Sequence, residues 1–326
     1  MKDNLAFYNN LAQKSVQTAM RVSRAIQNDL AELAPLIKGD KSPVTLADFA
    51  VQAVICHELQ KNCPEIPVVA EENSGLLRRP EHRPMLELII SFLQAVDLEL
   101  TTESLLQLID RGAGSPAETY WTLDPIDGTK GFLRQDQYAI ALALIKSGEV
   151  LLGVLGCPRL SSGRSSETGC LVRAEKGKGA FLSLPEPESK LELPFSAPQS
   201  PILLTQSFES THGDHEKQKL VASRLPLAAA PLLVDSQVKY AMIALNQAQV
   251  YLRIPGPGLP IHREKIWDHA AGSLIASEAG AMVSDLEGRK LDYSRGVNLE
   301  ANLGILVTPA GRQTEVLQAI SPERTE

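Results

Sequence analysis

Two aspartates, Asp124 and Asp127, lie three residues apart at the end of an apolar strand, in the stretch WTLDPIDGTKGFL that runs from Trp121 to Leu133. A pair of carboxylates in this position repels and resists burial unless a positive charge lies beside it. This requirement constrains the fold strongly, because the strand must end where a cation can reach both acids.

The residues around the pair indicate a metal ion as that cation. Pro125 fixes its own φ at about −65°, so the segment is predicted to form a tight turn in which both carboxylates and the Ile126 carbonyl converge. Two carboxylates and a main-chain oxygen suit a hard cation such as Mg²⁺, and the backbone N–H groups of Gly128 and Thr129 suit a phosphate. The alternative, an Asx-turn without a ligand, explains neither the second acid nor the Gly-Thr pair.

Acidic residues at three other element ends are candidates for the same site. They are Asp48 at the start of a predicted helix, the pair Glu71-Glu72 after a predicted strand, and Asp268 in the run EKIWDHAAG. Taken singly, Asp48 or Asp268 is better explained as a helix N-cap, where aspartate is strongly favoured. The hypothesis of one site therefore depends on the acids acting together.

The composition is that of an ordinary globular protein, with 44% hydrophobic and 22% charged residues in a chain of 326. Its net charge of −7 argues against non-specific binding to nucleic acid or anionic membranes. The four cysteines lack metal-binding spacing, which favours reduced thiols, and the longest apolar run, Tyr138–Ile145, is too short to span a bilayer. The N-terminus has no apolar signal-peptide core, so we expect a cytoplasmic protein.

Hydrophobic periodicity predicts two domains. Residues 1–199 open with two helices and then consist mostly of strands, which is an α+β pattern. Residues 200–326 alternate strands and helices, which is an α/β pattern, and the proline-rich stretch between Leu184 and Pro201 predicts the boundary. Two helical pieces over residues 83–108 carry no candidate catalytic residue and are interpreted as an insertion or a lid.

Three blocks of sequence, VVAEEN, DPIDGT and IWDHAAGSLIASEAGA, together resemble the inositol monophosphatase-like, lithium-sensitive phosphatase superfamily. The resemblance spans most of the chain and departs from the common pattern at Ala70, where many members have glycine. It implies an α/β protein with a layered αβαβα sandwich that hydrolyses phosphate monoesters with two or three Mg²⁺ ions and is inhibited by Li⁺. By the same resemblance the metal ligands would be Glu71, Asp124, the Ile126 carbonyl, Asp127 and Asp268, and the residues that orient and deprotonate the attacking water would be Asp48 and Thr129.

Two stretches narrow the resemblance to the 3'(2'),5'-bisphosphate nucleotidase branch: Lys130-Gly131-Phe132 and EKIWDHA, residues 264–270. This branch removes the 3'-phosphate of 3'-phosphoadenosine 5'-phosphate to leave AMP, and some members accept its sulfated precursor or inositol 1,4-bisphosphate. Cationic side chains would suit the 5'-phosphate. For the 5'-phosphate the resemblance implies contacts from Ser236 and Lys239 in DSQVKYAMIA and from Arg253 in VYLRIP. Near the adenine it implies either His212 or His215 in ESTHGDHEKQ, with His212 favoured.

Two other functions use the same residues. A phosphatase for inositol phosphates or fructose 1,6-bisphosphate would share the metal site, and relative rates on the three substrates would separate these enzymes. A non-catalytic sensor would bind the bisphosphate nucleotide in Mg²⁺ without releasing phosphate. The sequence leaves the oligomeric state open.

Overall fold

A computed structural model describes residues 4–29, 36–37, 43–164, 166–184, 188–192, 200–208, 213–256 and 263–321. Within these ranges the α-helices are α1 (Leu5–Asp29), α2 (Leu46–Asn62), α3 (Arg83–Gln94), α4 (Thr102–Asp110), α5 (Thr129–Leu133), α6 (His215–Ala222), α7 (Val238–Ala244), α8 (Ala270–Glu278) and α9 (Gln313–Ile320). The strands are β1 (Leu36–Ile37), β2 (Pro43–Val44), β3 (Val68–Ala70), β4 (Thr119–Asp127), β5 (Ala139–Lys146), β6 (Glu149–Ser161), β7 (Thr168–Glu175), β8 (Gly179–Leu184), β9 (Ser189–Leu191), β10 (Leu204–Gln206), β11 (Leu232–Leu233), β12 (Val250–Arg253), β13 (Ala281–Ser284) and β14 (Ile305–Pro309). Among the helices in these ranges, none combines the length and the apolar character needed to cross a membrane.

The first sheet has seven strands in the order β3-β4-β5-β6-β7-β8-β9. Strands β3 and β4 are parallel, and the remaining neighbours are antiparallel. The sequence of β5, AIALALIK, is apolar at every position but the last, as expected for a strand that has both faces covered.

The second sheet has five strands in the order β11-β10-β12-β14-β13. Strand β10 is parallel to both β11 and β12, whereas β14 is antiparallel to both of its neighbours. Because β10, β11 and β12 run in the same direction, the residues that follow them meet at one edge of the sheet. In open α/β sheets this edge is where ligands bind.

Helices form three layers around the two sheets. Helices α1 and α2 share a core with the first sheet, as in the burial of Phe49 with Leu142. Helices α7 and α8 share a second core with both sheets, which includes Ile275 and Val307. Helices α6 and α9 cover the second sheet, where Val221 is buried. The order of layers is helix, sheet, helix, sheet, helix, which confirms the predicted αβαβα sandwich.

Helices α3 and α4 belong to the first core. Ile89 and Leu93 on α3, and Leu105 and Ile109 on α4, are fully buried and pack in the core that contains α2. Each helix presents an apolar stripe that needs a partner surface, and α2 supplies it. The interpretation of residues 83–108 as a lid is therefore wrong.

The predicted domain boundary, between residues 199 and 200, follows residues 193–199, which lie outside the described ranges. The stretch before it is more than a linker, because β9 pairs with β8 at the edge of the first sheet. The division into 1–199 and 200–326 stays a prediction.

Candidate active site

Five carboxylates from four segments converge at the carboxyl ends of β3 and β4. They belong to Asp48 in the first turn of α2, Glu71 after β3, Asp124 and Asp127 in β4, and Asp268 before α8. The pKa of the Asp124 carboxyl is raised well above its usual range, first by burial and then by the negative charges of the other four acids. The structure thus brings together the acids that the sequence scatters over more than 200 residues.

Asp124 and Asp127 reach the same place through an irregularity in β4. The strand pairs Asp124 with Ala141 and Asp127 with Ala139, so three steps along β4 match two steps along β5. In a regular strand, residues three apart face opposite sides of the sheet, and one extra residue returns them to the same side. The prediction of a tight turn after the strand is therefore wrong, because the DPID segment is a bulge within β4.

The Asp124 carboxylate is suited to a cation. Its Oδ1 is buried and has no hydrogen-bond partner among the described residues. The pKa of Asp127 is also raised, to about 6, mainly by burial, although the charge of Lys239 opposes the shift. A divalent ion would give the unpaired oxygen a partner and offset the repulsion. The atoms available as metal ligands are carboxylate oxygens and the Ile126 carbonyl oxygen, and an all-oxygen ligand set fits Mg²⁺.

Asp48 is not the N-cap of α2, as the acid taken singly would predict, because Thr45 is the N-cap and Asp48 is the third residue of the helix. Its Oδ2 accepts hydrogen bonds from the Thr45 N–H, at 2.8 Å, and the Thr45 hydroxyl, at 2.7 Å, which form part of a capping box at α2. Its Oδ1 lies 3.4 Å from Thr129 Oγ1, and the same hydroxyl lies 3.2 Å from the Ile126 carbonyl. The cap therefore fixes the Asp48 carboxylate with one oxygen directed at Thr129.

Gly128 connects the bulge to α5 and has a φ of 89°, in the region that favours glycine. A Cβ at this position would lie 3.0 Å from the Ser236 Cβ, so glycine also allows the segment after β11 to approach closely. Ser236 itself has a φ of 67°, and its hydroxyl accepts a hydrogen bond from the Val238 N–H at 3.2 Å. The predicted phosphate contacts and Ser236 are therefore adjacent.

Gln237 joins two of the acid-bearing segments, a role that the sequence analysis missed. Its backbone N–H donates to Asp127 Oδ2 at 2.7 Å. Its side chain donates from Nε2 to the Trp267 carbonyl at 2.8 Å and accepts at Oε1 from the Gly272 N–H at 3.0 Å. These bonds flank Asp268 and are buried, so Gln237 holds Asp127 and the Asp268 segment in a fixed relation.

Lys239 lies buried on α7 near the carboxylates. Its Nζ donates to the Val234 carbonyl at 2.9 Å and lies 5.3 Å from the centre of the Tyr251 ring. Burial lowers its pKa to about 8, and the charge of Asp127 opposes that shift. The side chain thus remains mostly protonated at neutral pH within electrostatic reach of Asp127.

Arg253 is held by a buried network that the sequence analysis also missed. Its Nε donates to Glu264 Oε1 at 2.8 Å, and His269 Nε2 lies 3.3 Å from Glu264 Oε2. Burial lowers the pKa of His269, so the neutral ring donates to Glu264 and accepts at Nδ1 from the Tyr240 hydroxyl, 2.8 Å away. Ligand atoms of Glu264, Asp268 and His269 lie within 4.8 Å of one another, but Glu264 and His269 are engaged in this network. Glu264 and His269 both lie in the EKIWDHA run, so this motif could have pointed to them.

Of the two histidines predicted to contact the substrate, the structure describes only His215. His212 lies outside the described residues. His215 is the first residue of α6 and is half-buried. The preceding Asp214 N–H donates to the Ile254 carbonyl at 2.9 Å, which brings the start of α6 beside the end of β12, where Arg253 lies. The choice between the histidines stays a prediction.

Comparisons with known proteins place the chain in a class. Residues 4–323 match the Inositol monophosphatase family. The chain is 39% identical over 313 residues to a 3'(2'),5'-bisphosphate nucleotidase of Dictyostelium discoideum, with 93% of each chain covered. It is 38% identical over 325 residues to a probable 3'(2'),5'-bisphosphate nucleotidase 4 of Arabidopsis thaliana, with 95% of this chain and 92% of the relative covered.

Solved structures share the fold. The extragenic suppressor protein suhB of Bartonella henselae has a TM-score of 0.67 at 18% identity, covering 96% of this chain and 98% of its own. An IMPase of Thermotoga maritima has a TM-score of 0.67 at 19% identity, covering 98% and 97%. The fold and the relatives define a phosphate-ester hydrolase. The chain belongs to the inositol monophosphatase family, whose members are generally Mg²⁺-dependent and lithium-sensitive.

Proposed function

We propose that this protein is a Mg²⁺-dependent phosphatase that removes the 3'-phosphate of 3'-phosphoadenosine 5'-phosphate, giving AMP and phosphate. The observation that carries the proposal is the buried Asp124 Oδ1, which has no hydrogen-bond partner among the described residues and is surrounded by four other acids. A buried carboxylate oxygen without a hydrogen-bond partner is tolerated where a bound cation pairs with it.

The ions would be held by Glu71, Asp124, the Ile126 carbonyl, Asp127 and Asp268, with two or three Mg²⁺ bound. When bound, Mg²⁺ neutralises the charge of the phosphate ester and makes water more acidic. The carboxylates cannot attract an anionic substrate by themselves, so an acidic protein needs this charge to bind one. Inhibition by Li⁺ in the millimolar range is expected for a member of this family.

Asp48 and Thr129 would manage the proton of the attacking water. The Thr129 hydroxyl would donate its hydrogen to Asp48 Oδ1, and Thr129 Oγ1 would accept a proton from the water. As the water oxygen bonds to phosphorus, the bond from phosphorus to the ribose 3'-oxygen breaks, and that oxygen would take a proton from a second water molecule. The capping box keeps Asp48 oriented throughout, since Thr45 holds its other oxygen.

The remaining predicted contacts would hold the substrate. Backbone N–H groups of Gly128 and Thr129 would bind the 3'-phosphate, and Ser236, Lys239 and Arg253 would hold the 5'-phosphate. The names of the relatives from Dictyostelium discoideum and Arabidopsis thaliana support a nucleotide substrate over an inositol or sugar phosphate. The sulfated precursor and inositol 1,4-bisphosphate are additional candidate substrates.

Phosphate release tests this assignment. The protein in Mg²⁺ is offered 3'-phosphoadenosine 5'-phosphate, inositol 1-phosphate and fructose 1,6-bisphosphate separately at equal concentration. We expect the highest kcat/KM for the nucleotide. A higher value for either competitor would overturn the substrate, and binding of the nucleotide without release would show a sensor.

Replacing Gln237 by methionine should lower the apparent affinity for Mg²⁺ by about 10- to 100-fold, the usual effect of losing a partner that positions a ligand. The side-chain bonds to Trp267 and Gly272 are lost, whereas the backbone bond to Asp127 stays available. Rate against Mg²⁺ concentration measures the effect, and kcat should recover at saturating metal. Gln247→Met, which deletes a bond to the Ser161 carbonyl, is the control. Unchanged metal dependence in Gln237→Met would refute the positioning role.

The contribution of the buried site acids to the stability of the metal-free protein should fall as pH rises from about 4 to about 7. The folded pKa of Asp127 is about 6 against 3.8 for the ordinary carboxyl, so the unfolded chain loses this proton first and the folded state loses stability as pH rises through 6. Asp124 contributes in the same direction. Thermal unfolding in a chelator measures the trend. Saturating Mg²⁺ should reduce or reverse it, since metal binds the deprotonated acids; an identical trend with and without Mg²⁺ would speak against the site.

A further inference from the structure

An aromatic ring lies exposed at the ligand-binding edge of the second sheet. Phe208 follows β10 almost directly and is 46% exposed, which is unusual for a side chain of its size. The parallel neighbours β11 and β12 end at the same edge, and the residues after them include Ser236 and Ile254. Phe208 thus lies on the side of the sheet where the proposed 5'-phosphate contacts are found.

The Phe208 ring is held in place by charged groups. The guanidinium carbon of Arg134 lies 4.4 Å from the ring centre, the geometry of a cation–π contact. Arg134 in turn forms an ion pair with Asp235, whose side chain is only 5% exposed. One face of the ring is therefore covered by a fixed cation, and the exposed area belongs to the rest of the ring.

The same contacts connect Phe208 to the proposed catalytic end of the molecule. Arg134 caps α5, which begins at Thr129, and a rise of about 1.5 Å per residue puts about 7.5 Å between them. This is the scale of one nucleoside. Asp235 immediately precedes Ser236, and a Cβ on Gly131 would lie 3.1 Å from Asp235 Oδ2. A side chain at Gly131 would clash with the Gln137 carbonyl and also crowd the Asp235 carboxylate, which gives a structural reason for glycine there.

Two buried polar side chains precede the ring. Gln206 Oε1 and Ser207 Oγ have no hydrogen-bond partner within the described ranges, although Gln206 is 7% and Ser207 only 3% exposed. Buried polar atoms of this kind need an explanation. A purine base combines a flat apolar face, which suits the Phe208 ring, with polar edges, which suit polar groups near the ring.

We infer that Phe208 is the surface on which the base of the nucleotide substrate stacks, and that Arg134 and Asp235 position its ring. This inference rests on the proposed function and adds to it a residue that selects nucleotides over base-free phosphates. An inositol or sugar phosphate has no aromatic face, so it gains nothing from the ring. Base–aromatic stacking tolerates different bases but favours larger ones, so a purine should be preferred over a pyrimidine.

The test is a Phe208→Ala variant of the full chain, assayed in saturating Mg²⁺. For 3'-phosphoadenosine 5'-phosphate we expect KM to rise by roughly 10- to 100-fold with kcat nearly unchanged. KM for inositol 1,4-bisphosphate should not change, and Phe208→Trp should restore the KM for the nucleotide. Leu233→Ala is the matched control, because Leu233 is an apolar residue at the end of β11 with 49% exposure.

The outcomes separate this inference from the proposed function. An unchanged nucleotide KM in Phe208→Ala, or equal rises for the nucleotide and the inositol bisphosphate, overturns the stacking role and leaves the proposed function standing. Absence of nucleotide hydrolysis by the unaltered protein overturns the proposed function, and the inference falls with it. An equal KM rise in Leu233→Ala also contradicts the inference, since the effect would then not require an aromatic ring.

Discussion

Replacing Asp127 by asparagine is expected to lower kcat on 3'-phosphoadenosine 5'-phosphate by about 1,000-fold while the protein still folds. Asparagine matches aspartate in size and keeps an oxygen for the Gln237 N–H, but it withdraws a negative charge from the proposed Mg²⁺ site. Bound metals contribute several kcal/mol to charge stabilisation in the transition state, and about 4 kcal/mol corresponds to about 1,000-fold in rate. Steady-state kinetics at saturating Mg²⁺, with circular dichroism to check the fold, measures this.

The same variant should be more stable than the unaltered protein when metal is absent. Raising the pKa of Asp127 from 3.8 to about 6 means that folding opposes its charge, so at about pH 8 the neutral amide should raise the free energy of unfolding by about 1–3 kcal/mol. Asp97→Asn is the control, because Asp97 is exposed and its φ of 59° suits asparagine equally well. Substantial activity in Asp127→Asn would show that the site is placed wrongly, and loss of metal-free stability would show a structural role.

Replacing Arg253 by lysine is expected to lower kcat/KM on 3'-phosphoadenosine 5'-phosphate by about 10- to 100-fold. Charge-assisted hydrogen bonds contribute about 1.5–3 kcal/mol, and lysine lacks the planar fork that can bind Glu264 and a phosphate together. Lysine is preferred to alanine because removing the charge would leave Glu264 buried without its partner, which is strongly destabilising. The loss should be specific for substrates that carry a 5'-phosphate.

Adenosine 3'-phosphate provides the comparison for Arg253→Lys, because it has the reacting phosphate and the base but no 5'-phosphate. Its kcat/KM should change by less than about 3-fold in the variant. Arg289→Lys is the matched control, since Arg289 also pairs with a buried acid, Asp285, but has a half-exposed side chain that contacts the more exposed Glu287 as well. Equal losses on both nucleotides would remove Arg253 from 5'-phosphate binding.

Most acids of the site could be found from the sequence because they lie at or next to element ends that periodicity identifies. Asp48, for example, comes three residues after Thr45, the pattern of a capping box, and the structure has that box. Their meeting point could not be read from residues alone, since Asp268 lies 220 positions from Asp48. The family resemblance supplied that step.

Other features depend on tertiary structure. The bulge in β4 depends on how β4 pairs with β5. The residues DPIDGT alone do not reveal this pairing, so the sequence predicts a turn. The roles of Gln237 and Glu264 arise from partners distant in the chain or across a core, such as Asp127 and Arg253. Helical periodicity found α3 and α4, but only the apolar surface of α2 shows that they are packed and not a lid.

The carboxylate cluster is proposed to use Mg²⁺ to release one particular phosphate. Phosphorus NMR of the protein mixed with 3'-phosphoadenosine 5'-phosphate tests this directly, because the 3'- and 5'-phosphates give separate signals. With Mg²⁺, the 3' signal should disappear while inorganic phosphate appears and the 5' signal persists as AMP; with a chelator, the spectrum should not change. Loss of the 5' signal, or equal turnover in the chelator, would overturn the proposed function.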